Sequence, residues 1–343
     1  MMAQQQRLNC APAFALMFVS LMVTTSCARA LNQPLDHPAP TAVSQLWLSP
    51  DDLESRDLFH GSGGPQLRPQ QTTFTFVAHK NSGTNKGYDV RDAQGRMWAV
   101  KLGDEAQPEV TASRILWALG FHQPPVYYLE QWQMIDGDRR EQPPARFRPV
   151  LEGREVEDDW SWYDNPFIGS RAFAALVTVN MLLNNWDLKT VNNKIYVGVD
   201  DSGAKVRHYV VRDLGGSLGK AQQPRVLSWV PFMRQMQGTK NDIDDFEGQG
   251  FVRHLDGDRV TFDYSGLDGA LVNSVTVDDL RWTCELLSRL SEAQWIDAFR
   301  AGGYDTSDTY RYVRKIKGKI AEAQRLIDAA GRQVLADAAP VTR

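Results

Sequence analysis

Cysteine is scarce in this chain, and its three positions leave no pair for an internal disulfide. Cys10 and Cys27 lie in an N-terminal segment that we expect to be cleaved, so that the first is removed and the second is removed or lipid-modified. Cys284 lies in an apolar helical pattern, where a thiol packs as a small buried hydrophobic group. The mature chain therefore has no internal disulfide. An oxidising compartment is not contradicted, but the chain does not use one to form disulfides.

An excess of positive charge is also absent. Lys and Arg number 38 against 42 Asp and Glu, which gives a net charge of −4, whereas a nucleic-acid-binding protein typically shows a basic excess or stripe. The hydrophobic share of 42% and the charged share of 23% are those of an ordinary globular protein. We therefore expect a chain that does not bind nucleic acid, with one two-lobed domain or two ordinary ones. We also expect it to be a monomer.

The N-terminus has the pattern of a targeting segment. Arg7 precedes an apolar run at 11–23, which is shorter than the ~20 residues that a membrane-spanning helix requires. We expect residues 1–30 to form a signal peptide, followed by an extension at 31–71.

Two processing sites stay open. The tripeptide at 28–30 fits the small-x-small pattern of signal peptidase, and cleavage after Ala30 would yield a secreted protein. The stretch 24–27 resembles a bacterial lipobox ending at Cys27, and we favour this site. It predicts a periplasmic or cell-envelope lipoprotein that contacts the membrane only through a lipid on Cys27.

A period-two pattern begins at residue 72 and predicts strands at 72–77, 88–90 and 97–102. The loop between the first two strands includes Lys80, Ser82 and Gly83. Its free backbone N–H groups and positive charge suit a lid over phosphates. A solvated hairpin loop is the alternative, because no Gly-x-Gly-x-x-Gly is present.

A helix follows at 108–120, with a Pro in its first turn and a Gly at its end. The strand that ends with Lys101 and the helix that opens with Glu109 allow an ion pair that sets the lysine toward phosphates. Glu105 is the rival partner.

The central pattern is an apolar helix at 169–183 followed by a short polar loop with Asp187, Lys189 and Asn192. A predicted hairpin then leads to Asp213. Phosphoryl transfer from a nucleotide needs these parts: a carboxylate that orients the attacking hydroxyl, a cation that neutralises the phosphate, and an amide oxygen and a second carboxylate that hold Mg²⁺. Asn193 replaces Asn192 if the loop shifts by one residue.

The loop at 187–192 resembles the catalytic loop of protein kinases, and the tripeptide at 213–215 resembles their metal-binding Asp-Phe-Gly. Asn185-Trp186 replaces His-Arg before the loop. The surroundings are more similar to the atypical branch of the superfamily, with the HipA-type, phosphoinositide-kinase-like, secretory-pathway and spore-coat kinases. No Ala-Pro-Glu follows Asp213, unlike in protein kinases with a peptide platform.

The resemblance covers about 72–330 and implies ATP and Mg²⁺ as cofactors. It implies that Asp187 is the base or hydroxyl-orienting group and Lys189 the phosphate neutraliser, with Asn192 and Asp213 as Mg²⁺ ligands. In the same way, it assigns nucleotide positioning to Lys101 and Glu109.

We therefore expect an α+β, two-lobed kinase-like fold. The expected boundaries are a β-rich N-lobe with one helix at 72–132, a mainly helical C-lobe at 133–330 and a tail at 331–343. The expected activity is transfer of the ATP γ-phosphate to a hydroxyl of an unknown protein, lipid or small molecule. A catalytically silent binding module, AMP transfer on the same fold, and an envelope lipoprotein with an unrelated α+β fold are the alternatives.

Overall fold

The computed structural model describes residues 40–80, 86–199, 203–221, 238–265 and 269–337. All of them belong to one unit, His37–Arg343. The predicted signal peptide and the positions Ser82 and Gly83 lie outside the described residues. No helix among the described residues is both long and apolar enough to cross a membrane.

The first half of the described chain builds a seven-stranded sheet with the order β4-β7-β3-β2-β1-β5-β6. Its strands are β1 (Thr73–Lys80), β2 (Gly87–Arg91), β3 (Met97–Leu102), β4 (Tyr127–Leu129), β5 (Trp132–Asp136), β6 (Asp138–Gln142) and β7 (Ala145–Pro149). β1 pairs in parallel with β5, and the other pairs are antiparallel. The three strands predicted at 72–102 are thus confirmed as β1, β2 and β3.

An aromatic core holds this sheet together. Phe74 and Phe147 have ring centroids 4.8 Å apart, and Trp98 and Trp132 contact the same cluster edge-on. All four side chains are buried. Aromatic rings of this size bury much apolar area, so a small lobe gains a core of its own, separate from the main one.

The remaining elements are mainly helices, with one three-stranded sheet and one hairpin. The helices are α1 (Pro40–Val43), α2 (Ala106–Ala118), α3 (Arg171–Leu182), α4 (Ile243–Gly248), α5 (Gly269–Val272), α6 (Val277–Ser288), α7 (Glu292–Ala301) and α8 (Thr306–Asp337). The strands are β8 (Glu155–Asp159), β9 (Asn193–Val199), β10 (Lys205–Val211), β11 (Val252–Asp256) and β12 (Arg259–Phe262). Helix α3 forms where the apolar helix was predicted, with the Ser170 hydroxyl as its N-cap.

The segment before the first sheet differs from the predicted extension. Its described part, 40–71, contains α1 and three short 3₁₀ turns. Leu46, Leu53 and Leu58 on this segment are buried in the core that also contains α2 and α3. The segment packs as part of the domain because its leucines have apolar neighbours to cover.

The boundary between the lobes also differs from the sequence expectation. β7 pairs with β3, which places Lys101 opposite Arg146, and β5 pairs with β1. Strand pairing therefore joins 133–149 to the β-rich lobe, whereas we expected these residues in the second lobe. The pairing is non-local, and no local pattern in 133–168 announces it. We propose a boundary near Pro149.

Candidate active site

Lys101 lies at the centre of the candidate site. It stands on β3, and its Nζ lies 2.7 Å from Glu105 Oε2, 3.2 Å from Glu109 Oε2 and 2.7 Å from Asp213 Oδ1. The lysine side chain is 14% exposed. One ammonium thus joins the β-rich lobe, helix α2 and the segment after β10.

Glu109 is held by two cations. Its carboxylate is 2% exposed, and Arg146 Nε lies 2.9 Å from the second oxygen, Glu109 Oε1. Glu105, the rival partner in the sequence analysis, also contacts Lys101. Its other carboxylate oxygen, Oε1, lies 2.5 Å from Lys240 Nζ. Both glutamates therefore form an ion pair with Lys101, so neither excludes the other.

The polar loop starts from a fixed backbone position. Asn184, the second residue after α3, has a φ of 53°, in the left-handed region that Asn tolerates better than most residues. Its Nδ2 donates to the Gly219 carbonyl at 2.7 Å, and Lys319 Nζ on α8 donates to its Oδ1 at 2.9 Å. The start of the loop is thus hydrogen-bonded to two distant parts of the C-lobe.

Asp187, Lys189 and Asn192 lie together in this loop. Lys189 Nζ is 2.8 Å from Asp187 Oδ1, and Asn192 Nδ2 donates to the Asp187 backbone carbonyl at 2.8 Å. Because its NH₂ group is used, Asn192 presents its oxygen as the free end of the amide. Asp187 Oδ1 is buried and accepts no hydrogen bond of good geometry from the described residues.

Asn193, the alternative to Asn192, has a different position. Its side chain is fully buried, and its Nδ2 donates to the Trp160 carbonyl at 3.0 Å. Asn192 lines the cleft, so the unshifted register brings the amide to the carboxylates.

The hairpin of β9 and β10 returns the chain to the loop. Backbone N–H groups of Arg212 and Asp213 donate to the Asn192 carbonyl at 2.9 and 3.3 Å. The two-strand return is why residues 26 positions apart, Asp187 and Asp213, line one cleft.

Two glycines after Asp213 allow this close approach. A Cβ on Gly215 would lie 2.4 Å from Glu105 Cβ, and a Cβ on Gly216 would lie 2.8 Å from Asp187 Cβ. Neither glycine has a positive φ. Glycine is thus required at both positions because an acidic side chain occupies the space of a Cβ, and not because of the backbone conformation.

The ammonium of Lys101 sets the electrostatics. Burial raises the pKa of Asp213, but the charge and hydrogen bond of Lys101 outweigh this and hold that pKa below its ordinary value. The same balance holds the pKa of Glu105 below its ordinary value, with Lys240 contributing a hydrogen bond. Burial alone would lower the pKa of Lys101, but the three surrounding carboxylates raise it by more than burial lowers it. The pKa therefore lies above its ordinary value, and the lysine stays charged.

These groups line one cleft with a volume of about 280 Å³. Lys80 on β1 also lines it and pairs with Asp89 at 3.3 Å. Of the residues predicted to contact nucleotide or metal or to act in catalysis, the following line the cleft: Lys80, Lys101, Glu109, Asp187, Lys189, Asn192 and Asp213. Their roles remain predictions.

No family model matches this chain, and no curated protein matches it. Among solved structures, the crystal structure of a Helicobacter pylori proinflammatory kinase, CtkA, is similar at 13% sequence identity. The match covers 76% of this chain and 97% of that chain, with a TM-score of 0.41.

The order of parts within the described residues is the one predicted. A strand lysine, a helix glutamate, a buried helix, a polar loop, a hairpin and an aspartate converge between a β-rich lobe and a helical lobe. The described residues form a two-lobed α+β fold.

The donor set suits a small divalent cation. Asp213 offers a carboxylate and Asn192 an amide oxygen, and Mg²⁺ prefers such oxygen ligands together with substrate phosphates. Within the described ranges, no group of three or more His, Cys, Asp or Glu residues could hold a metal.

Three arginines in the cleft were missed by the sequence reasoning: Arg146, Arg148 and Arg212. The first two lie two residues apart on β7 and so share one face of the strand. The spacing of the two arginines could have indicated that they share a strand face. No local sequence feature, however, shows that β7 pairs with β3, the strand that carries Lys101.

Proposed function

We propose that this chain is an exported kinase-like phosphotransferase that moves the ATP γ-phosphate to a hydroxyl group. The observation that carries the proposal is the Lys101 ammonium, which contacts Glu109 of helix α2 and Asp213 at the same time. A cation held by both groups is positioned to bind phosphates beside a metal site.

The residues of the loop supply the remaining parts. Asp187 offers a carboxylate that accepts a hydrogen bond from the attacking hydroxyl and holds it in line. Lys189 is 64% exposed and so is free to move from Asp187 to a transferring phosphate. Asn192 and Asp213 would hold Mg²⁺, which supplies charge neutralisation on the phosphates.

Nucleotide binding is tested by thermal unfolding of the full-length chain with and without Mg-ATP. A ligand that binds only the folded state stabilises it by RT ln(1 + [L]/Kd). We expect a rise in Tm that Asp213→Ala abolishes. Asp256→Ala, at an exposed position on strand β11, is the control and should keep the rise. An unchanged Tm at millimolar Mg-ATP would refute nucleotide binding.

Transfer is tested with ATP labelled at the γ- or the α-phosphate, incubated with the protein and envelope extracts. We expect γ-label on an acceptor with the parent chain and none with Asp187→Ala, which should still gain stability from Mg-ATP. Equal transfer by the parent and Asp187→Ala would show that Asp187 has no catalytic role. Label from the α-phosphate on the acceptor would show AMP transfer instead.

Export belongs to the same proposal. Expression of the full-length chain and of Cys27→Ser, followed by fractionation, distinguishes the two processing sites. We expect the parent in the membrane fraction of the envelope and the variant in the soluble exported fraction. Retention of both in the cytoplasm would contradict export.

A further inference from the structure

Two arginines in the cleft have no acidic partner among the described residues. Arg148 stands near the end of β7, and Arg212 follows β10 directly. Both line the cleft. Arg212 Nη1 donates one long hydrogen bond of 3.5 Å to Tyr196 Oη, and no ion pair forms at either guanidinium within the described ranges.

The neighbouring cations are compensated. Arg146 pairs with Glu109 at 2.9 Å and donates to the Ala99 carbonyl at 3.0 Å, and Lys80 pairs with Asp89. The unbalanced positive charge of the cleft is thus located at Arg148 and Arg212. They come from opposite lobes, so a ligand between them would touch both.

The charge of the lining supports the same conclusion. Six cationic and four anionic side chains line the described part of the cleft, although the whole chain carries a net charge of −4. Burial lowers the pKa of Arg148 to about 10, and the charges of Arg146 and Arg212 lower it too. Keeping an unpaired guanidinium in such a place costs stability, which an anionic ligand would recover.

The strand register separates this pair from the lysine centre. Lys101 lies opposite Arg146, and Ala99 lies opposite Arg148. Residues two apart on a strand are ~7 Å apart, so Arg148 lies one such step from the position facing Lys101. One phosphate group is too small to fill both positions, whereas a ligand with two anionic groups fits.

The apolar part of the lining is small. Val100 and Val191 are the only aliphatic side chains that line the described part of the cleft. Pockets for flat aromatic groups are lined mostly by apolar side chains. The described lining of the arginine end therefore suits an anion better than a flat aromatic group.

We propose that Arg148 and Arg212 form a phosphate-binding subsite, distinct from the centre around Lys101 and Asp213. Planar guanidinium groups bind phosphate through paired N–H donors. The inference deepens the proposed function, on which it rests for the ligand: the second phosphate belongs either to the nucleotide or to a phosphorylated acceptor.

The subsite is tested by calorimetric titration of the full-length chain with inorganic phosphate, without Mg²⁺ or nucleotide. We expect Arg148→Gln and Arg212→Gln to weaken phosphate binding at least tenfold. Arg139→Gln, on the exposed strand β6, should bind as the parent does. Equal affinity in the parent and both cleft variants, or no binding at tens of millimolar phosphate, would overturn the proposal.

Stability provides a second measurement that does not depend on heat of binding. Without phosphate, Arg148→Gln should be at least as stable as the parent, because it removes a half-buried charge that has no acidic partner among the described residues. With phosphate at a concentration near the parent's Kd, the parent and Arg139→Gln should gain more stability than the two cleft variants. An equal phosphate-dependent gain in Arg148→Gln would count against the subsite.

The source of the phosphate is decided by repeating the titration with saturating Mg-ATP. Loss of phosphate binding assigns the subsite to a phosphate of the nucleotide, and retained binding assigns it to the acceptor. Both results support the subsite. Because the first titration contains no nucleotide, its failure is distinguishable from failure of the proposed phosphotransfer.

Discussion

Lys101 Nζ lies 2.7 Å from Asp213 Oδ1, although 112 residues separate the two in the chain. The contact joins the β-rich lobe to the segment after the β9–β10 hairpin. It shows that the two parts meet through a charged pair that lines the cleft.

Removal of the Lys101 charge should destabilise the fold. In Lys101→Met, Glu105, Glu109 and Asp213 lose their shared cation while the carboxylates stay close together. Leaving a buried charge without its partner costs about 3 kcal/mol or more. Urea unfolding at neutral pH measures the loss, and Lys205→Met, at an exposed surface pair, is the control. A similar small loss in both variants would contradict the central role of Lys101.

The same cluster predicts a loss of stability in acid. The pKa values of Glu105 and Asp213 are lowered from 4.5 and 3.8, so the folded state binds fewer protons than the unfolded state in this range. Their contribution is fully present above roughly pH 5 and is lost as the pH falls through the folded values. The difference in unfolding free energy between the parent and Lys101→Met should therefore shrink between roughly pH 5 and pH 3. A constant difference would show that these carboxylates do not interact with Lys101.

Asn184 should be difficult to replace. Asn184→Ala places a residue that has a Cβ, and no side-chain hydrogen bond to offer, at a φ of 53°, which costs ~1 kcal/mol or more. It also removes one of the two oxygens to which Lys319 Nζ donates, and the other is the Leu182 carbonyl at 3.2 Å. Asn184→Gly removes only the side-chain contacts, so it should be the more stable of the two by urea unfolding. Greater stability of the alanine variant would contradict the left-handed conformation.

The contact between Asn184 and Lys319 is measured by a double-mutant cycle with Lys319→Met. Residues in direct contact show interaction energies of about 0.5–3 kcal/mol. Purely additive losses would show that the hydrogen bond of 2.9 Å contributes nothing to stability.

Gly216→Ala should damage activity more than stability. The new methyl group would lie 2.8 Å from Asp187 Cβ, so the carboxylate must move, and displacements of ~1 Å can cost a hundredfold in rate. We expect at least a tenfold loss of labelled phosphate transfer with a small change in Tm. Gly248→Ala, which meets nothing within 4 Å, should retain transfer. Full transfer by Gly216→Ala would show that Asp187 is not positioned by this contact.

The sequence predicted the parts of the site that lie in local patterns. Asp187, Lys189 and Asn192 share one loop, and hairpin signals placed Asp213 beside them. What escaped prediction depends on long-range pairing: Arg146 and Arg148 become cleft residues only because β7 pairs with β3.

The choice between Glu105 and Glu109 could not be made from sequence for a related reason. Both residues can reach Lys101 from the start of a helix, and spacing alone does not show that one ammonium serves both. The described structure adds Arg146 as a second cation for Glu109, which explains how two acids fit at one lysine.

The hydrogen bond from Lys319 to Asn184 makes the start of the loop depend on a helix that lies more than a hundred residues later in the chain. A chain that leaves a ribosome or a translocation channel from its N-terminus presents the loop before helix α8 has emerged. Until Lys319 arrives, Asn184 lacks this hydrogen bond, so we expect the loop to reach its final conformation only after α8 has docked. Deletion of α8 should thus leave Mg-ATP unable to stabilise the chain.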